Sequence, residues 1–134
     1  MSVWKMAVVA GASALVLASC GGGGTSNGGG GGGTCTSPTG GTTSGTAGQT
    51  VKVVSDPNTV GKFDPSSISV KTGDTVEWDF QDSSSPHTVT ADDGSFDSCS
   101  QQAGFKFFVT FSKAGDVKYH CTLHAQMLGD IKVS

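Results

Sequence analysis

Three side chains near the C-terminus stand three residues apart in the stretch YHCTLHAQM: Cys121, His124 and Met127. A thiol, an imidazole and a thioether on so short a segment have four readings. They are metal ligands, a catalytic nucleophile with its base, half of a disulfide, or ordinary packing residues. Three donors from one segment need a fourth from elsewhere to close a metal site. The chain has three histidines, at positions 87, 120 and 124. His87 opens the stretch HTVTA after a polar SSSP, and lies 34 residues before Cys121. His87, Cys121 and His124 together make a two-histidine, one-cysteine set, and Met127 adds a weak thioether.

Two imidazoles and a thiolate in a trigonal array, with a weak axial methionine, are the ligand set of a blue-copper electron-transfer site. Thiolate favours Cu(I), and imidazole accepts both oxidation states. A methionine in the last position leaves no open site for water or substrate, unlike the open position of catalytic zinc centres. Rapid electron exchange also needs a frame that moves little.

The elements that must position these donors read as strands. VKVVS (51–55) alternates, and SISVKTGDTVEWDF gives two runs split by Thr72-Gly73-Asp74, a turn cluster. HTVTA alternates into the turn Asp92-Asp93-Gly94. FKFFVTF (105–111) is aromatic and β-branched, and DVKYHC and GDIKVS end the chain. No window shows helical periodicity. Short strands at this spacing predict an all-β sandwich or barrel, with loops at its ends to hold ligands. Cys121 is expected at a strand end, with His124 and Met127 on the following loop. His120 neighbours Cys121 on the strand, so it should point to the opposite face and play a structural part.

With these residues in view, the chain resembles the cupredoxins, specifically the plastocyanin/amicyanin-like group. The stretches that carry the resemblance are FDPSSISVKTGDTVEW (63–78), PHTV (86–89), GSFDS (94–98), FFVTFSKAGDVKYHCTLHAQM (107–127) and GDIKV (129–133). The resemblance implies a Greek-key β-sandwich that binds one type 1 copper per chain through His87, Cys121, His124 and Met127. It also implies that redox partners dock on an apolar surface near His124, flanked by Leu123, Ala125 and Leu128, and that His124 is the electron exit. Members usually carry an Asn near the first histidine that braces the ligand loop. Here WDFQDSSSP precedes His87, and Gln81, Asp82 or Ser83 is the expected substitute.

The N-terminal part has another character. Lys5, the apolar run Met6–Leu17 and Ala18-Ser19-Cys20 read as a secretory signal over residues 1–19. Leu17-Ala18-Ser19-Cys20 resembles a bacterial lipobox, which implies acylation of Cys20 and an exported protein held on the outer face of a membrane or in a periplasm. Residues 20–50 are almost all Gly, Ser and Thr and are expected to form a flexible tether, leaving 51–134 as the folded domain.

The chain has four cysteines. With Cys20 read as the lipid site and Cys121 as a metal ligand, Cys35 and Cys99 remain. An exported protein allows them to pair, and such a bridge stabilises by roughly 4 kcal/mol in the chain-entropy model. Cys35 could equally stay free or link two molecules. The formal charge is −3 and arginine is absent, which argues against nucleic acid as a partner. The acidic DDGSFD reads as a solvated loop.

These readings make the protein a membrane-tethered one-electron carrier and not an enzyme. The alternative is a copper-holding or copper-delivery lipoprotein, which the lack of methionine-rich or histidine-rich tracts disfavours. A copper enzyme of the nitrite reductase kind would need a second set of histidines, and only His120 is left over.

Overall fold

A computed structural model describes residues 34–134. The expected signal (1–19), Cys20 and residues 21–33 of the expected tether lie outside them. Eight strands follow one another: β1 (Gln49–Asp56), β2 (Val60–Asp64), β3 (Ser67–Val70), β4 (Thr75–Phe80), β5 (Thr90–Ala91), β6 (Lys106–Thr110), β7 (Gly115–Cys121) and β8 (His124–Val133). No helix occurs among the described residues. The strands form two four-stranded sheets, in the orders β2-β1-β4-β6 and β3-β8-β7-β5. β1 runs parallel to β4 and β3 parallel to β8, while the other ladders are antiparallel. The chain therefore passes repeatedly from one sheet to the other, as the expected all-β sandwich requires.

Period-two alternation decides which side chains meet between the sheets. β4 sends Val76, Trp78 and Phe80 inward, β1 sends Val51 and Val53, and β8 sends Met127, Ile131 and Val133. The middle of the core is aromatic. The Trp78 ring lies 5.3 Å from Tyr119 and 5.5 Å from Phe96, and Phe63 lies 4.7 Å from Tyr119. Tilted and edge-on pairs of this kind add to the area they bury. Gly129 makes room for the Tyr119 ring, since a Cβ there would overlap it.

Three features differ from the sequence reading. β2 has no strong strand composition, and its pairing with β1 forms it. His124 and Met127 are not on a loop: they lie on β8, which His124 opens, and only Thr122 and Leu123 turn between β7 and β8. The ladder shifts register between His120 and Cys121, which lets Cys121 pair with His124.

The third difference concerns the tether. Its described part is fixed on the domain from Cys35, which is bonded to Cys99. Thr39 exchanges two backbone hydrogen bonds with Asp97, at 2.8 and 3.0 Å, and Thr42 exchanges two with Phe108, both 2.8 Å. This arm explains why β6 buries three successive residues, Phe107, Phe108 and Val109, where alternation allows two. Phe108 faces outward, where Gly45 of the arm lies against its ring, while Gly41 lies against the Phe108 carbonyl and the Phe107 ring. A glycine-rich composition here serves close approach, not freedom of the chain. The folded unit thus begins well before position 51.

The arm generates a prediction. A Cβ on Gly41 would stand 2.5 Å from the Phe108 carbonyl oxygen and 2.6 Å from Phe107 Cζ. Gly41→Ala should lower the unfolding free energy by about 1–3 kcal/mol, as overpacking does. Urea denaturation measures this, and an unchanged midpoint would mean that the arm is not packed in solution.

Candidate metal centre

The donors meet at one end of the sandwich. β7 ends at Cys121, the two-residue turn brings the chain back to His124, and the segment entering β5 brings His87 alongside. His87 Nδ1 lies 3.1 Å from His124 Nδ1, Cys121 Sγ lies 3.5 Å from His124 Nδ1, and Cys121 Sγ lies 3.9 Å from His87 Nδ1. A point equidistant from all three atoms is about 2 Å from each, close to the bond lengths that first-row metals make with imidazole and thiolate. The triangle would therefore fit a metal ion of copper's size. Met127, further along β8, is also buried. His87, Cys121 and Met127 are each 1 % exposed, whereas His124 is half-buried at the rim.

Cys121 and His87 are each held from behind. Cys121 Sγ accepts a hydrogen bond from the Thr88 backbone N–H at 3.3 Å, which fixes where the sulfur stands. The Thr88 hydroxyl accepts from the Thr122 backbone N–H at 2.8 Å, tying the His87 segment to the turn that carries Cys121 and His124. His87 Nε2 lies 2.7 Å from Asp82 Oδ2, with both side chains buried. Burial alone would raise the Asp82 carboxyl. Hydrogen bonds from the Ser84 hydroxyl, from His87 and from the Ser84 backbone outweigh it and hold the group at about 2. Asp82 is thus an anion that accepts from Nε2–H, which leaves the Nδ1 lone pair free to face the cysteine. Gly61 on β2 completes the seat, because a Cβ there would strike the His87 ring.

The bracing residues correct the sequence reading in part. Of Gln81, Asp82 and Ser83, it is Asp82 that reaches His87, while Gln81 turns to Asp79 at 2.7 Å. The brace across the loop is Thr88, which follows His87. Spacing alone did not single out Thr88 or Gly61. A small residue directly after a ligand, and a lone glycine in a strand, are the available signals.

His120 points away from the donors and pairs with Asp92 at 2.6 Å, so its place on the opposite face is as alternation demands. Leu128 also faces that side and lines a groove with Asp92, Lys118 and Gly129. It does not join the His124 surface. Val60 does: with Asn58, Thr59, Ala125 and Gln126 it lines a hollow of about 290 Å³ beside His124. Val60 is 50 % exposed and Leu123, next to His124 in the turn, is 48 % exposed. Val60 also has φ of +70°, a strained conformation for a β-branched residue.

Comparison with known proteins gives one family. Residues 49–134 match the model of the copper binding proteins, plastocyanin/azurin family. No curated protein sequence matches the chain significantly. Among solved structures, the chain is similar to a purple cupredoxin from Nitrosopumilus maritimus, with 26% identity and a TM-score of 0.52, covering 62% of this chain and 98% of that one. It is similar to an oxidized methionine-to-leucine mutant of amicyanin, with 27% identity and a TM-score of 0.53 over 63% and 81% of the two chains. An oxidized proline-to-alanine mutant of amicyanin gives 26% identity and a TM-score of 0.55 over 73% and 92%.

The buried carboxylate leads to a prediction. Asp82→Ala frees His87 to rotate or change tautomer, and should weaken copper binding by about 10–100-fold, as loss of a partner behind a metal ligand commonly does. A competition titration with a chelator of known affinity measures the loss. Unchanged affinity would mean that the Asp82–His87 pair does not orient the imidazole.

Proposed function

The chain belongs to the plastocyanin/azurin family of copper-binding proteins, and we propose that it is a one-electron carrier held outside the cytoplasm by a lipid on Cys20. The observation that carries this reading is the closed donor triangle of His87, Cys121 and His124, buried on one side and reaching the surface at His124. The chemistry that copper supplies when bound there is one-electron exchange between Cu(II) and Cu(I). The protein's own residues do the rest. Cys121, His87 and His124 would hold the metal strongly, the buried Met127 would add a weak thioether, and the surrounding core would keep water out.

His124 is the route out, since among the proposed ligands it alone lies at the rim. Val60, Leu123 and Ala125 around it form a small uncharged surface on which donor and acceptor proteins can approach closely. A carrier and not an enzyme is supported by the same set: methionine occupies the position that a substrate would need, and the remaining histidine, His120, is paired with Asp92 on the other face. Acylated Cys20 would hold the domain at a membrane through residues 21–34, since the arm is fixed from Cys35 onward.

Adding Cu(II) tests the centre. An intense visible band with a type 1 paramagnetic signal is expected, and Cys121→Ser should abolish both. A colourless protein with an ordinary tetragonal signal would replace the carrier by a copper-holding protein. Electron self-exchange between oxidised and reduced copies tests the docking surface without knowledge of the partners. Leu123→Lys should slow it at least tenfold through like-charge repulsion, with the visible spectrum kept and the rate partly restored by salt. An unchanged rate would place the exit elsewhere. Cys20→Ser should move the protein from the membrane to the soluble fraction, and a variant that stays in the membrane would remove the lipid from the proposal.

A further inference from the structure

The arm and its disulfide lie far from the donors in sequence but are linked to them through one short segment. Both backbone hydrogen bonds of His87 run to Gln101: His87 N–H donates to the Gln101 carbonyl at 3.0 Å, and Gln101 N–H donates to the His87 carbonyl at 2.9 Å. The pairing continues along the chain. Ser98 N–H donates to the Val89 carbonyl at 3.0 Å, Val89 N–H donates to Ser98 Oγ at 2.8 Å, and Ala91 N–H donates to the Phe96 carbonyl at 2.9 Å. Residues 96–101 are therefore an extra strand-like edge beside the segment that carries His87.

That edge is itself fastened from outside. Thr39 pairs with Asp97, and Cys35 is bonded to Cys99, which is buried and has φ of +56°. The same arm reaches the other sheet through Thr42 and Phe108. It thus fastens residues 96–101, at the edge of the sheet that bears Cys121 and His124, to β6 of the opposite sheet.

We propose that the Cys35–Cys99 disulfide and residues 35–42 are positioning elements of the metal centre, setting where His87 stands through Asp97, Cys99 and Gln101. This rests on the reading of His87 as a copper ligand. A disulfide that only limits the unfolded chain would stabilise every part of the domain alike. A positioning clamp has a local effect as well.

Hydrogen exchange on the metal-free full chain separates the two. In Cys35→Ser/Cys99→Ser, the amides of His87 and Gln101 should lose at least tenfold more protection than that of Trp78 in β4. With copper bound, the same variant should show a shifted thiolate-to-copper band and at least tenfold weaker Cu(II) binding. Thr39→Pro removes one hydrogen bond to Asp97 and leaves the disulfide, so it should give the same pattern more weakly should the double variant fail to fold. Equal loss of protection at all amides, with an unchanged spectrum and affinity, would overturn the proposal. If the parent protein forms no thiolate–copper band, the ligand reading fails instead, and the exchange comparison still decides whether the arm controls the His87 segment.

Discussion

Two imidazole nitrogens and a sulfur must stand within 3.9 Å of one another, on segments 34 residues apart, before any metal can hold them there. Most of the structure around the site follows from that constraint. Two of the three donors are buried, so their approach has to be imposed by groups whose own positions are fixed. Thr88 does this at the seam between the two segments, with its amide on the sulfur and its hydroxyl on the turn. Asp82 does it for the imidazole from behind. Such pairings also keep the centre free of orphaned polar atoms. Among the described residues the buried side-chain atoms without a partner are Trp78 Nε1 and Tyr119 Oη, in the aromatic core and not among the donors.

Much of this was legible in the sequence because ligand chemistry and strand alternation are both local. Cys121, His124 and Met127 announce themselves by type and spacing, and a chain with three histidines leaves few choices for the fourth donor. Alternation from Val51 onward gives the sandwich, and it places His120 on the opposite face from Cys121. The supports were less legible because they depend on distant pairing. β2 forms because β1 lies beside it, and Gly61 matters because His87, 26 residues later in the chain, fills the space over it. Val60 reaches the His124 surface from the opposite sheet, while Leu128, only four residues from His124, turns to the other face.

The arm shows how composition can mislead. Glycine, serine and threonine without apolar residues describe a segment that has nothing to bury, and that holds for its own side chains. They do not describe what it can cover. Gly41 and Gly45 contribute by having no side chain, which lets the backbone lie against Phe107 and Phe108 and keeps those rings dry. The apolar surface comes from β6 and the ordering from backbone pairing and one disulfide, none of which a hydrophobic pattern within the arm can reveal.

The unequal burial of the two histidines is the last link from fold to function. A carrier needs a centre that changes shape little when its charge changes, and it needs that centre near a surface. One environment cannot supply both, so the site divides them. His87 is enclosed, with a charged partner, a glycine seat and two backbone bonds to a fastened edge. His124 opens a strand after a two-residue turn and faces a shallow hollow that carries no acidic or basic side chain besides its own imidazole. In the proposed carrier, stiffness on the His87 side would keep the donor geometry constant, and thinness on the His124 side would shorten the path to a partner. Exchanging the two roles would leave a deformable ligand in the interior and a rigid, charged pair at the surface, where it would repel or trap the partner that has to leave after each electron.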